Sequence, residues 1–169
     1  MISYLIKSDE ECTYMITTGV LRVKVDEILS LRHRVLRKGL PLETARFDGD
    51  DEPDTWHFGV YLTNEEGRPL GETIGCASFE LNSLNGEPAW QLRGMATEAD
   101  YRDHGIGGMI LAFAEETLMR EGVRLFWCNA REGAIRFYEQ HGWSCISEIF
   151  EIPTVGPHRK MFLRRWSPM

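Results

Sequence analysis

The stretch YRDHGIGGMILAFAEE, Tyr101 to Glu116, sets Gly105, Gly107 and Gly108 close together and then runs directly into apolar residues. Exposed N–H groups at a helix start carry partial positive charge and bind phosphate where no Cβ blocks the approach, a condition these glycines meet. The familiar phosphate motifs do not fit. A P-loop continues with Lys-Ser/Thr after its second glycine, where Gly108 and Met109 follow here; a dinucleotide fingerprint needs a third glycine where Ile110 stands. On the glycines alone, a tight turn closing under a core helix explains the stretch equally well.

The rest of the chain places this stretch. With 169 residues, 43% of them hydrophobic, the chain is expected to form one compact domain, residues 1–169, around one core. No segment approaches the roughly 20 apolar residues that span a bilayer, and MISYLIKSDEE turns acidic before a signal-peptide core can form, so a cytoplasmic location is expected. Cys12, Cys76, Cys128 and Cys145 lie far apart without a C-x-x-C pair, which predicts reduced, buried thiols and neither a metal site nor a disulfide framework. A net charge of −7 argues against general affinity for nucleic acid.

Val25, Ile28, Leu29, Arg32 and Val35 or Leu36 recur at helical spacing, and Gly39 with Pro41 ends that helix. ETARFDGDDEPD, Glu43 to Asp54, reads as an acidic loop. WHFGVYL, TIGCASFEL and AWQLRGMAT, separated by NEEGRPLGE and NSLNGEP, predict an antiparallel meander. Then follow a helix over Gly108–Glu121, a strand in RLFWCNA, a helix in EGAIRFYEQHG closed by Gly142, and two strands, WSCISEIFEI and HRKMFLRRW. The fold class is mixed α/β.

Arg102-Asp103-His104-Gly105-Ile106-Gly107, five residues after the strand QLRGMAT, resembles the Arg/Gln-x-x-Gly-x-Gly/Ala signature of the GNAT superfamily of acyl-CoA-dependent N-acetyltransferases. AIRFYEQHGW, Ala134 to Trp143, is similar to the family's second signature, and the resemblance extends from Trp90 to Trp166. It implies a mostly antiparallel mixed sheet flanked by helices, with splayed strands forming a cleft for acetyl-CoA. It also implies that Met95, Ala96 and Thr97 offer backbone groups to the pantetheine arm. Asp103, His104, Gly105, Ile106, Gly107 and Gly108 would cradle the pyrophosphate, with Arg102 adding charge. Tyr138 takes the family's place for protonating the departing thiolate, since a phenol of ordinary pKa about 10 is protonated at neutral pH. No metal is implied. The acceptor is an amine on a small molecule or a peptide, with neither membrane nor nucleic acid as partner, and a homodimer is compatible with the family. A noncatalytic acyl-CoA-binding module is the alternative, and could dispense with Tyr138.

The chain departs from the family in two places. Where many members carry an asparagine three residues before the alanine, Arg131 stands, and the contact to pantetheine falls either to it or to Asn129 two residues earlier. The strand before the glycine loop holds no carboxylate in WQLRGMAT, which leaves the general base unassigned, a water chain or one of His57, Glu80, Glu148 and His158, residues whose ordinary reading is structural. His141, near a helix end, is explained by the helix dipole. The acidic loop Glu43–Asp54 reads as solvated, or alternatively as attracting a cationic amine.

Overall fold

The computed structural model describes residues 2–7, 13–64 and 66–166. Its elements in order are β1 (Ile2–Lys7), β2 (Thr13–Val23), α1 (Asp26–Leu36), β3 (Thr55–Thr63), β4 (Pro69–Leu84), β5 (Glu87–Thr97), α2 (Ile106–Met119), β6 (Leu125–Arg131), α3 (Ile135–Gln140), β7 (Ser144–Cys145), β8 (Phe150–Ile152) and β9 (Gly156–Arg164). The architecture is mixed α/β, with a mostly antiparallel open sheet flanked by helices. Among the described residues no helix is long and apolar enough to cross a membrane. The chain falls into two compact units, Met1–Ser78 with Gly94–Ala114, and Phe79–Arg93 with Glu115–Met169; β4, β5 and α2 contribute to both.

In the first unit the strand order is β1-β2-β3-β4-β5. The expected meander is thus extended by two earlier strands, paired antiparallel from Ile2↔Thr18 to Lys7↔Thr13 and from Thr17↔Thr63 to Val23↔His57. α1 packs Ile28 and Leu31 against Cys76 of β4 and Ala96 of β5, while Leu29 lies on the flank and is only partly buried. α2 begins two residues earlier than its pattern predicts, at Ile106. Its Ile106 and Ile110 sit where a Cβ on Gly75 would be, 2.6 and 3.0 Å from that position. Gly75 and Cys76 point to opposite faces of β4, so α1 and the start of α2 cover opposite faces of the strand.

The acidic loop differs from its expectation. It contains a 3-10 turn at Leu42–Ala45, and Asp50 within it is only 4% exposed. Asp50 takes Nη1 of the fully buried Arg32 at 2.5 Å, and Phe47 N–H donates to the same carboxylate at 2.7 Å. Arg32 therefore lies within the core, where an internal carboxylate satisfies it. Asp51, Glu52 and Asp54 remain exposed.

In the second unit the order is β4-β5-β6-β9-β7, with β8 paired to β9. Asn85 and Gly86, with φ of 54° and 84°, turn β4 into β5, as Asn-Gly does in two-residue hairpins whose central residues both need positive φ. β5 and β6 run parallel over Trp90↔Phe126, Gln91↔Trp127 and Leu92↔Cys128. β9 lies antiparallel to β6 from Leu125↔Arg164 to Arg131↔His158. The single strand expected over WSCISEIFEI is two short ones, β7 and β8, each laid on β9. One sheet face buries Phe126 edge-on to Phe79, and the other gathers Leu84, Ala89, Leu125 and Trp127 with Phe162. Of the thiols, Cys76 and Cys128 are buried as expected, Cys145 is only partly buried, and Cys12 lies outside the described residues.

Candidate active site

The glycine loop and the end of β5 lie in the first unit. Glu98, just past β5, donates its N–H to the Ile74 carbonyl at 2.8 Å, which anchors the strand end before the chain turns through the 3-10 turn Ala99–Tyr101. Arg102 Nε then donates back to the Thr97 carbonyl at 3.3 Å, and His104 Nδ1 donates to the Arg102 carbonyl at 2.6 Å. Asp103 and Gly105 take the left-handed conformation, with φ of 61° and 79°. Arg102, Asp103, His104 and Gly105 are exposed, whereas Ile106 is buried at 1%.

This geometry follows from local physics. Left-handed backbone is cheap for glycine and tolerable for aspartate, so Asp103 and Gly105 reverse the chain into α2. The first N–H groups of any helix lack an intrahelical acceptor; Met109 is the first in α2 to reach back, donating to the Gly105 carbonyl at 3.0 Å. The first turn of α2 carries no acidic residue, and Gly107 and Gly108 bring no Cβ. Within that turn no side chain beyond Ile106 and no carboxylate stands before an anion, while Asp103 just ahead of it is exposed.

Along β5, Met95 and Thr97 are partly exposed and Ala96 is buried against α1. Gly94, just before them, has φ of 57°, the left-handed conformation that a strand glycine adopts at a bulge. A Cβ there would lie 2.7 Å from Arg32 Nε and 2.8 Å from the Phe47 ring, so the position admits only glycine. The parallel ladder of β5 with β6 ends at Leu92, two residues earlier.

Asn129 and Tyr138 lie in the second unit. Tyr138 of α3 is 6% exposed, edge-on to Phe137 with ring centroids 5.2 Å apart and beside Trp143 at 5.4 Å. Its carbonyl accepts the N–H groups of His141 and Trp143, closing α3 ahead of Gly142 at φ 87°. Burial pushes the phenol well above its ordinary value, with a smaller push from Cys128 of β6. Asn129, next along β6, points to the face opposite Cys128. Its Oδ1 is buried without a hydrogen-bond partner.

The residues considered for the base occupy distinct surroundings. Glu80 is ion-paired with Arg93 at 2.5 Å, and Glu148 is exposed, 3.7 Å from Arg159. His57 is held on both sides. Arg32 Nη2 donates to Ser78 Oγ, Ser78 Oγ lies 2.5 Å from His57 Nδ1, and His57 Nε2 lies 2.9 Å from the Asp50 carbonyl. Nε2 must carry a proton to donate to the Asp50 carbonyl, and burial pushes the imidazole below its ordinary value, which favours the neutral ring with Ser78 Oγ donating to Nδ1. His141 donates from Nδ1 to the Phe137 carbonyl at 2.7 Å, at the end of α3. His158 is 4% exposed and donates from Nδ1 to the Gly156 carbonyl at 2.7 Å.

A model of the acetyltransferase (GNAT) family matches residues 25–143, across both units. The uncharacterized N-acetyltransferase YitI of Bacillus subtilis (strain 168) is 34% identical over 146 residues, covering 85% of this chain and 93% of that protein. Solved structures share the fold. The NatC complex bound to Gag peptide and CoA superposes with a TM-score of 0.68 at 19% identity, covering 88% of this chain and 99% of that one. The ribosomal-protein-S18-alanine N-acetyltransferase from Escherichia coli gives 0.65 at 18%, covering 88% and 94%. The chain belongs to the GNAT family of acetyltransferases.

Proposed function

We propose that this chain is an N-acetyltransferase that moves an acetyl group from acetyl-CoA to an amine by direct attack, residues 1–169 working as one catalytic domain. The observation that carries this reading is the start of α2, where a left-handed turn at Asp103 and Gly105 opens a helix free of acidic residues and, at Gly107 and Gly108, of Cβ atoms. That is the donor set a diphosphate requires. Arg102, now folded onto the Thr97 carbonyl, adds a guanidinium beside it. Met95–Thr97, beyond the end of the parallel ladder with β6, would offer peptide groups to the amides of pantetheine, and the orphaned Asn129 Oδ1 is an acceptor for an amide N–H. Acetyl-CoA supplies an acyl carbon activated as a thioester.

Tyr138 keeps its proton at neutral pH because burial raises the phenol. As the C–N bond forms and the C–S bond breaks, its O–H donates to the sulfur, and the phenolate recovers a proton from the attacking nitrogen. The solved relatives by their names act on a protein's alanine or hold a peptide, and another is an aminoglycoside 6'-N-acetyltransferase. The shared fold therefore leaves the acceptor open.

Calorimetry with acetyl-CoA, NAD and ATP, followed by a thiol-release assay over an amine library, tests the proposal. Binding of acetyl-CoA alone, with amine-dependent thiol release, is expected. Tight binding with no release for any amine would make the chain an acyl-CoA-binding module.

A further inference from the structure

The face of β6 and β9 that carries Asn129 holds polar groups that the fold itself does not use. His158 donates from Nδ1 to the Gly156 carbonyl, so the neutral ring has its lone pair on Nε2. Among the described residues no hydrogen bond reaches that nitrogen, although the side chain is almost wholly buried. Asn129 Oδ1 is likewise buried and unpartnered. Lys160 stands directly opposite Asn129 in the ladder, and its ammonium lies 5.0 Å above the Trp127 ring with no carboxylate partner among the described residues.

The ladder brings these groups together. Directly opposed residues of an antiparallel pair have Cβ atoms about 4.5–5.5 Å apart and diagonal ones about 7–8 Å. Lys160 is opposite Asn129, and His158 is diagonal to it. Phe150 of β8 is paired with His158, its ring centroid 6.3 Å from the imidazole, and walls the other side. Arg131 of β6 is paired with His158 and Lys160 lies two residues along β9; Glu151 follows Phe150 on β8, and Glu132 lies in the 3-10 turn Glu132–Ala134 that packs on β9.

We infer that this patch is the acceptor subsite and that the acceptor is an amine carrying a carboxylate, as in an α-amino acid, its carboxylate held by Lys160 and its ammonium deprotonated by His158. The inference rests on the acetyl-transfer reading above and supplies the base that reading lacks. His158 Nε2 takes one proton from the ammonium and passes it to solvent, and the neutral amine keeps the lone pair that forms the C–N bond. Lys160 exchanges its contact with the Trp127 ring for a charge-assisted hydrogen bond.

The test compares each protein amino acid with its decarboxylated amine, for example phenylalanine with 2-phenylethylamine and leucine with 3-methylbutylamine, in the thiol-release assay. The parent is expected to favour at least one amino acid over its matched amine by tenfold or more in kcat/KM. Lys160→Met retains a contact for the Trp127 ring and should erase at least tenfold of that preference. His158→Asn can still donate to the Gly156 carbonyl; at an unchanged Tm it should lower kcat about 10²-fold or more and remove the acidic limb of the parent's pH profile. A parent that acetylates matched amines as well as amino acids, or turns over no amino acid, overturns the subsite. So does a Lys160→Met variant that keeps the preference, or a His158→Asn variant with the parent's pH profile. Calorimetry separates the two levels: acetyl-CoA binding with no amino-acid preference removes this inference alone, and absence of acetyl-CoA binding removes the transferase reading together with it.

Discussion

In the proposed reaction Tyr138 is the acid, and its surroundings make that role measurable. Its hydroxyl sits on a ring wedged beside Phe137 and Trp143, so Tyr138→Phe keeps the packing and deletes only the donor. Burial raises the phenol, which means the acid form persists across the neutral range and the variant should fall below the parent at every pH there. We expect kcat to drop by about 10²–10⁴-fold with little change in KM for acetyl-CoA, and by less with an acyl donor whose thiol is more acidic. Steady-state kinetics with both donors, on proteins of equal Tm, checks this. Turnover within about twofold of the parent would leave Tyr138 a packing residue.

At the scale of elements, the start of α2 depends on two glycines for different reasons. Gly107 lies in the first helical turn, where valine adopts the backbone readily but puts its methyls beside the N–H groups. Gly107→Val should weaken acetyl-CoA binding about tenfold or more, judged by the loss of one or two charge-assisted hydrogen bonds, while Tm moves little. Gly105 is a poorer probe, because at φ 79° a valine would strain the backbone as well. Gly75 acts from β4: a methyl there would meet Ile106 Cγ2 at 2.6 Å and push the first turn of α2 outward. Gly75→Ala should therefore weaken acetyl-CoA binding without touching the ligand, and calorimetry on the two variants compares direct with indirect loss. Binding by both at the parent's affinity would remove the phosphate assignment.

The stability of the first unit as a whole depends on the buried pair of Arg32 and Asp50 and on the ring of bonds they make with Ser78 and His57. Arg32→Met strands a buried carboxylate, a loss of about 3–5 kcal/mol, or on the order of 10 °C in Tm for a chain of this size. The pH dependence follows from His57. Its pKa in the folded chain lies below the unfolded value of about 6.5, so between the two the unfolded chain binds a proton that the folded one refuses. Stability is complete above about pH 6.5 and declines as pH falls through the window beneath it. Tm measured at pH 7.5 and 5.5 should show that decline, and His57→Gln should show a smaller one. An equal decline in both would assign the pH response to other groups.

Much of this protein is readable from local pattern, because the physics at those places is local. The helical spacing of Ile28 and Val35, the Asn85-Gly86 turn, and the order of strand, glycine loop and helix around Arg102–Gly108 each depend on neighbours in the chain, and each is present in the structure. The spacing of the two glycine and aromatic motifs was enough to indicate the family to which the chain belongs. What the tertiary structure decided is the fate of groups whose partners lie far along the chain. Arg32 is a lone charge on an apolar helical stripe and Asp50 one acid of a loop until folding brings them to 2.5 Å inside a core, and WSCISEIFEI looks like one strand until β9 offers an edge to each half. Asn129, His158 and Lys160 have no common pattern in the sequence, since they meet through antiparallel register, and register is set by the pairing of whole strands.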